Sequence, residues 1–246
     1  MADLQGRRIV VTGAGSGIGR AIARRFADEG AALALFDLNV DSLAEFCAQH
    51  PARAFVVDVS QESAVNQAVA DAASFLGGID GLVNAAGIIA LGGLGEMSLE
   101  NWQRQIDVHM TGPFLLCRAA LPWLQKAGKA TIVNIASAQA LKPAGASAGY
   151  AASKAGLLNF SKAIAAELAP TIRVNCVCPG IVDTPMVQRV NADAGKPDAT
   201  PTLKDYALGR MAQPEEIAAA VWYLTSDESS FVTGIAMAVD GGRSFH

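Results

Sequence analysis

Tyr150 and Lys154 stand four residues apart in the stretch Tyr150-Ala151-Ala152-Ser153-Lys154. On a helix that spacing stacks the phenol and the ammonium on one face, one turn apart. A free tyrosine titrates near ~10. A fixed cation roughly 4 Å away, at an effective dielectric of about 20, favours the phenolate by about 4 kcal/mol before desolvation takes its share. The two side chains could therefore act as an acid-base pair near neutral pH. The plain alternative is an amphipathic helix that happens to carry one Tyr and one Lys. The surrounding chain decides between them.

A second chemical signal lies near the start. The apolar run Arg8–Val11 enters Thr12-Gly13-Ala14-Gly15-Ser16-Gly17-Ile18-Gly19, and a helical pattern follows with Ile22, Ala23 and Phe26 on one face. Strand, glycine turn and helix in that order are the context of a dinucleotide site. Glycines permit positive φ and close backbone approach, and a helix N-terminus offers free N–H groups to a pyrophosphate. The spacing is Gly-x-x-x-Gly-x-Gly, and no Gly-Lys-Ser/Thr follows, which disfavours a nucleoside-triphosphate loop. Ala32–Phe36 reads as the next strand and ends in Asp37, 24 residues after Gly13. A carboxylate there can accept both adenosine ribose hydroxyls and repels a 2′-phosphate. Leu38 and Asn39 supply no basic residue, and Ser16 rather than Arg or Lys sits in the turn, so NAD is favoured over NADP.

The elements that position these groups alternate. Helix Asp41–Gln49, strand Arg53–Val57 ending in Asp58-Val59, helix Gln61–Leu76 and strand Gly81–Val83 ending in Asn84 give parallel strands with right-handed crossovers. Gly13, Asp37, Asp58 and Asn84 then fall at four consecutive carboxyl ends, where such sheets collect ligands. Ile88–Gly95 forms a wall of the substrate side. A long helix is expected from Leu99 to about Gln125, with Trp102, Ile106, Met110 and Leu116 buried and a bend at Pro113. Strand Ala130–Ile135 leads to Ala136-Ser137, and 13 residues on Tyr150 opens a helix to about Leu168. Strand Ile172–Cys178, a polar excursion from Pro185 to Arg210 over the site, helix Pro214–Leu224 and strand Ile235–Val239 complete one α/β domain spanning residues 1–246.

Composition narrows the function classes. Hydrophobic residues make up 51% and charged ones 17%, which reads as a well-buried globule. A net charge of -4 argues against polyanion binding, so no nucleic-acid partner is expected. No run of 18 apolar residues occurs and Met1–Arg8 lacks an apolar signal core, so no membrane partner is expected and the reading is cytoplasmic. His50, His109 and His246 stand far apart and the four cysteines (Cys47, Cys117, Cys176, Cys178) show no metal-like pairing, so no metal site is expected. Cys176 and Cys178 read as buried packing.

With these motifs assembled, the chain resembles the short-chain dehydrogenase/reductase family along almost its whole length. Thr12–Gly19, Asp58-Val59, Asn84-Ala85-Ala86-Gly87, Ser137, Tyr150-x-x-x-Lys154 and Pro179-Gly180-x-x-x-Thr184 carry the resemblance, in order and at family spacing. The stretch from Gly209-Arg210-Met211-Ala212-Gln213-Pro214 to Val239-Asp240-Gly241-Gly242 is similar to the bacterial 3-oxoacyl-carrier-protein reductase branch. The resemblance implies a doubly wound Rossmann domain with a seven-stranded, mostly parallel sheet in the order 3-2-1-4-5-6-7 and helices on both faces. It implies that Tyr150 exchanges a proton with the substrate oxygen, that Ser137 hydrogen-bonds that oxygen, and that Lys154 binds the nicotinamide ribose and lowers the phenol's pKa. Implied cofactor contacts are Gly13, Ser16, Gly17, Ile18, Gly19, Asp37, Asp58, Val59, Asn84, Gly87, Tyr150, Lys154, Val182 and Thr184. Ser137 could instead cap a turn, and Thr184 could be a loop hydroxyl. A homotetramer is also implied, built through Trp102–Leu124, Ala151–Leu168 and the tail Val239–His246.

One position departs from the family. In Ile106-Asp107-Val108-His109-Met110-Thr111-Gly112, His109 replaces the usual Asn, whose backbone carbonyl is implied to hold a relay water for Lys154. A carbonyl survives substitution, so a preserved relay ranks first, direct participation of the imidazole second and impaired activity third. For substrate, Ala138, Gln139, Ala144, Gly145, Gly180, Ile181, Met186, Val187, Val190 and Tyr206 suggest a small neutral secondary alcohol, polyol or ketone, with Gln139 binding an extra hydroxyl. No Arg cluster advertises a carboxylate or phosphate, and Arg189 and Lys196 read as solvated. The rival readings are a 3-oxoacyl thioester reductase and a catalytically weak NAD-binding protein.

Overall fold

A computed structural model describes residues 4–193 and 203–245. Seven strands form one sheet: β1 (Arg8–Thr12), β2 (Ala32–Asp37), β3 (Ala52–Val56), β4 (Gly81–Asn84), β5 (Ala130–Ile135), β6 (Ile172–Pro179) and β7 (Ala236–Val239), in the order β3-β2-β1-β4-β5-β6-β7. The order agrees with expectation, but the sheet is wholly rather than mostly parallel: every neighbouring pair runs in the same direction. Crossover helices make this necessary, because a helix between successive strands returns the chain to the same end of the sheet.

Helices cover both faces and explain why the central strands read as continuous apolar runs. Ile9 and Val11 point into one core with α1 (Gly17–Asp28), α2 (Ala44–Gln49) and α8 (Pro214–Thr225). Val10, between them, points into the other, with α3 (Glu62–Leu76), α5 (Gly112–Ala127) and α6 (Ala148–Leu168). A strand buried on both faces is apolar except where a polar side chain finds a buried hydrogen-bond partner. The chain winds from β1 out to β3 and then returns to β4 beside β1. That reversal opens a crevice at the carboxyl ends of β1 and β4, where doubly wound sheets bind ligands. Among the described residues no helix is long and apolar enough to cross a membrane, and no cluster of three or more His, Cys, Asp or Glu could hold a metal ion.

The helix expected from Leu99 to Gln125 is two helices, α4 (Leu99–Ile106) and α5, joined by a π-turn over Asp107–Thr111 in which the Gly112 N–H reaches back to the Asp107 carbonyl. The irregularity thus lies just before Pro113. This proline stands in the first turn of α5, two residues after the π-turn, where its missing N–H takes one bond out of the helical ladder, and a second proline, Pro122, lies inside α5. The extra residue of the π-turn rotates the inward face, so Gln105, Val108, His109 and Leu116 are buried while Trp102, Ile106 and Met110 are only partly so. The polar excursion after β6 is helical at first, as α7 (Pro185–Asp193). Lys196, Pro197 and Pro201 lie outside the described residues, as does His246. Other boundaries move by one to three residues, with α6 opening at Ala148 rather than Tyr150 and α2 at Ala44 after a 3-10 turn over Asp41–Leu43.

Candidate active site

The glycine turn is built for close backbone approach. Gly13 has φ +66, and a Cβ there would lie 2.8 Å from the Ala86 Cα; a Cβ on Gly19 would lie 2.1 Å from the Gly13 carbonyl oxygen. Only glycine fits at either position. The Thr12 hydroxyl accepts the Ala85 and Ala86 N–H groups at 3.0 Å each, pinning the end of β1 to the end of β4. Ser16 occupies the N-cap of α1, yet its side chain makes no capping bond, so the first-turn N–H groups face the crevice. Asp37 closes the outer side. Its two oxygens accept the Gly15 N–H at 2.8 Å and the Asn39 N–H at 3.0 Å, which orients the carboxylate while leaving lone pairs for hydroxyl donors. Thr184 leans over Gly17 from the far side, where a Cβ would meet its methyl group at 3.2 Å. A cradle of this shape and chemistry fits a dinucleotide.

Beside it lies a cavity of about 340 Å³ whose walls include Ile18, Gly87, His109, Ser137, Gln139, Tyr150, Lys154, Val182 and Thr184. Ser137 follows β5 and its hydroxyl accepts the Gln139 N–H at 3.1 Å, so the capping alternative is also true. Its own proton remains to be donated into the cavity. Lys154 is buried on α6 and donates to the Ile135 carbonyl at 2.9 Å, with Nζ 5.8 Å from the centre of the Tyr150 ring. Burial drives its pKa down to about 8, with Cys176 and Cys178 acting slightly against the shift. Those thiols are themselves pushed up to about 11 and about 12 by burial, so they stay neutral.

Tyr150 corrects an expectation. Burial pushes its phenol above the ordinary value, with a hydrogen bond to Ser137 pulling the other way. In the polypeptide itself desolvation dominates, and the ammonium is committed to the Ile135 carbonyl.

His109 is wholly buried at the centre of the π-turn. Its Nε2 accepts the Ile88 N–H at 3.1 Å, and Nδ1 lies 2.8 Å from the Ser153 hydroxyl, which itself donates to the Tyr150 carbonyl at 2.8 Å. With the serine proton used on that carbonyl, Nδ1 must carry a hydrogen and donate it to Ser153, and Nε2 must be the acceptor. Every hydrogen-bonding position of the ring is therefore occupied. Burial first, and the Lys154 charge second, hold its pKa well below the ordinary value.

One expected contact is placed differently. The Asn84 side chain does not face the cavity. Its Nδ2 donates to Asn134 at 2.7 Å, whose own amide donates to Ser161 at 2.7 Å, a polar tie from β4 through β5 to α6. Asn84 Oδ1 stays buried without a partner, so only the backbone of Asn84 could reach a cofactor. Asp58 engages one oxygen, Oδ1, with the Ser60 N–H and O–H at 3.0 and 2.6 Å and keeps Oδ2 available for a ligand, while the Val59 side chain packs against Gly112. Three contributors escaped the sequence reading. Gln105, fully buried, accepts the Ala90 N–H at 3.2 Å and holds the loop after β4. Gly156 lets α6 approach the π-turn, where a Cβ would strike the Met110 sulfur at 2.6 Å. Arg243, beyond β7, lines the cavity. Nothing local in the sequence marks these three, because each acts through a partner 15 to 101 residues away.

Fold and site together define an oxidoreductase built on a dinucleotide-binding sheet. The enoyl-(acyl carrier protein) reductase family model matches residues 13–244. Over 98% of this chain and 97% of the relative, the sequence is 37% identical to 2,5-dichloro-2,5-cyclohexadiene-1,4-diol dehydrogenase LinX of Sphingobium indicum. It is also 37% identical to the 3-oxoacyl-[acyl-carrier-protein] reductase FabG of Thermotoga maritima, over 97% of this chain and 98% of that one. The solved structure of aldohexose dehydrogenase from Thermoplasma acidophilum superposes with a TM-score of 0.90 at 33% identity, covering 100% of this chain and 96% of that chain. The chain belongs to the short-chain dehydrogenase/reductase family.

Proposed function

We propose that this chain, working as one catalytic domain, interconverts a small secondary alcohol or polyol and the corresponding ketone with NAD(H), using Tyr150 as the acid and base. The observation that carries the reading is the convergence of Ser137, Tyr150 and Lys154 on one cavity beside the glycine turn. The turn Gly13–Gly19 would hold the pyrophosphate, Asp37 the adenosine ribose, and Val182 and Thr184 the far wall. Asp37 offers acceptors to a 2′-hydroxyl and repulsion to a 2′-phosphate, which favours NAD. When bound, the nicotinamide supplies the hydride donor or acceptor. Ser137 donates its free proton to the substrate oxygen and orients it. In reduction, Tyr150 is protonated at neutral pH and ready to donate. In oxidation, the Lys154 ammonium, with Nζ 5.8 Å from the centre of the Tyr150 ring, favours the phenolate that must form. Two N–H groups of Lys154 remain for a ribose hydroxyl and for proton exchange.

The same proposal gives His109 a positioning role. Its ring holds the Ile88 loop and, through Ser153, the Tyr150 backbone, while the backbone carbonyl in the π-turn keeps the function implied for the family's Asn. Direct proton relay through the imidazole is disfavoured by its fully occupied bonding. A second reading, 3-oxoacyl thioester reduction, draws on the FabG relative; Asp37 opposes the NADPH use that goes with it. Cytoplasmic location and a homotetramer through α4, α5 and α6 belong to the same proposal, with Leu99 and Phe114 exposed on α4 and α5. The test is initial rate of NAD and NADP reduction over secondary alcohols and polyols; faster NADP reduction would overturn the cofactor assignment, and no reduction of either would overturn the reading.

A further inference from the structure

Gln139 and Arg243 are polar side chains in the cavity with no part in the chemistry above. Gln139 Oε1 accepts the Ala144 N–H at 2.7 Å, while the Ser147 hydroxyl spends its proton on the Ala144 carbonyl at 2.7 Å. The Ala144 donor fixes the amide's orientation and leaves its NH2 as the free end. It can donate to a ligand but not accept from one. Arg243 is only 8% exposed. Its Nη1 donates to the Lys142 carbonyl at 2.8 Å, and Lys142 Nζ returns a bond to the Arg243 carbonyl at 3.0 Å. This reciprocal clamp ties the end of the chain to the loop that carries Ser137 and Gln139.

Among the described residues no carboxylate pairs with the Arg243 guanidinium. Asp240, three residues upstream, is occupied by the Gly242, Arg243 and Ser244 N–H groups and the Ser244 hydroxyl. The cavity walls contain two cations, Lys154 and Arg243, and no Asp or Glu. A buried guanidinium is costly unless an anion shares its site, and its planar fork matches a carboxylate.

We propose that Arg243 and the Gln139 amide recognise a carboxylate on the substrate, so that the alcohol oxidised is a short hydroxy acid and the ketone reduced is an oxo acid. This rests on the hydride-transfer reading above and narrows it from neutral alcohols to anionic ones. The carboxylate itself is unchanged by the reaction; it anchors the chain of carbons whose carbinol lies at Ser137 and Tyr150. Residue 243 thereby sets specificity.

The experiment uses the full chain with saturating NAD and matched pairs of probes: straight-chain 2-, 3- and 4-hydroxy acids of three to six carbons, each against its methyl ester, together with neutral polyols. The expected result is at least one acid preferred over its ester by about 30-fold or more in kcat/KM, chiefly through KM. Arg243→Gln should lower kcat/KM for that acid by about 30-fold and bring the acid-to-ester ratio near one, with Arg243→Lys recovering part of the loss. Thermal melting and NADH fluorescence titration check that the variants fold and hold cofactor. Should Arg243→Gln fail to fold, competitive inhibition of the unaltered enzyme by butyrate but not by butyramide supports the same assignment. Equal use of acid and ester, or a preference that survives Arg243→Gln, overturns it. Turnover of neutral polyols without turnover of any acid overturns the carboxylate subsite while the hydride reading stands; no NAD reduction with any probe overturns the hydride reading itself.

Discussion

Replacing His109 tests whether its ring positions the site or moves protons. In His109→Ala the wholly buried imidazole leaves a cavity, the Ile88 N–H loses its acceptor, and Ser153 loses the donor that holds it toward Tyr150. A buried unsatisfied group costs about 1–3 kcal/mol and a large-to-small core change about 2–5 kcal/mol. Partial collapse and overlap of the two effects put the expected loss at about 4 kcal/mol, or about 10 °C in Tm for a chain of this size. Asn brings one acceptor and two donors, so His109→Asn should recover roughly half of that and keep kcat within about threefold. The pH dependence separates the roles further. Folding holds the imidazole's pKa well below its ordinary 6.5, so below that pH the unfolded chain binds a proton that the folded chain does not. Stability therefore falls as pH drops through about 6.5, by up to about 1.4 kcal/mol per pH unit, and His109→Asn should abolish that component. The kcat/KM profiles of the two proteins should superimpose. An acid limb near pH 6.5 in the natural protein that vanishes in His109→Asn, with equal NAD affinity, would refute the positioning role.

Lys154 titrates near about 8 in the fold against an ordinary 10.5, so its buried charge costs about 3 kcal/mol at pH 7, and the cost is relieved between pH 8 and 10.5. Lys154→Met should abolish turnover; it relieves that cost but leaves the Ile135 carbonyl without its donor, at about 1 kcal/mol, so the net of about 2 kcal/mol should raise the Tm of the cofactor-free protein by about 5 °C at pH 7, an advantage that fades by pH 10.5, and a lower Tm at pH 7 would contradict this. Asp37→Ala should shift the ratio of kcat/KM for NAD to that for NADP by at least about tenfold toward NADP, and should weaken NAD binding through the freed Gly15 N–H; an unchanged ratio would remove Asp37 from cofactor selection. Light scattering at micromolar concentration should give the mass of four chains, and Phe114→Asp should lower it; a monomer would refute the tetramer.

Much of this fold is periodic and local, and so was legible before any coordinates. The strand, glycine turn and helix around Gly13, the carboxyl-end placement of Asp37 and Asp58, and the Tyr150–Lys154 spacing all follow from short-range rules. The π-turn does not, because one extra residue inside a helix leaves no compositional mark, and Pro113, two residues beyond it, marks only the neighbourhood of the irregularity. Asn84 read as a ligand because it ends a strand, whereas its side chain completes a sheet-to-helix tie with Asn134 and Ser161. The phenol's behaviour was also misjudged: helical spacing indicated proximity to Lys154, but the balance between charge and desolvation depends on burial and on the Ile135 carbonyl that engages Nζ. Arg243 was invisible for the opposite reason. Its importance lies in what does not pair with it, which only the folded cavity reveals.

The central claim is that Tyr150 performs proton transfer at a site whose cofactor binding does not depend on its hydroxyl. The most direct measurement compares Tyr150→Phe with the natural protein for kcat on the best alcohol and for NADH affinity by fluorescence titration. Loss of general acid-base transfer should lower kcat by 10²–10⁴-fold, with the NADH dissociation constant changed by less than about threefold. A variant that keeps more than about a tenth of the natural kcat would contradict the assignment of Tyr150.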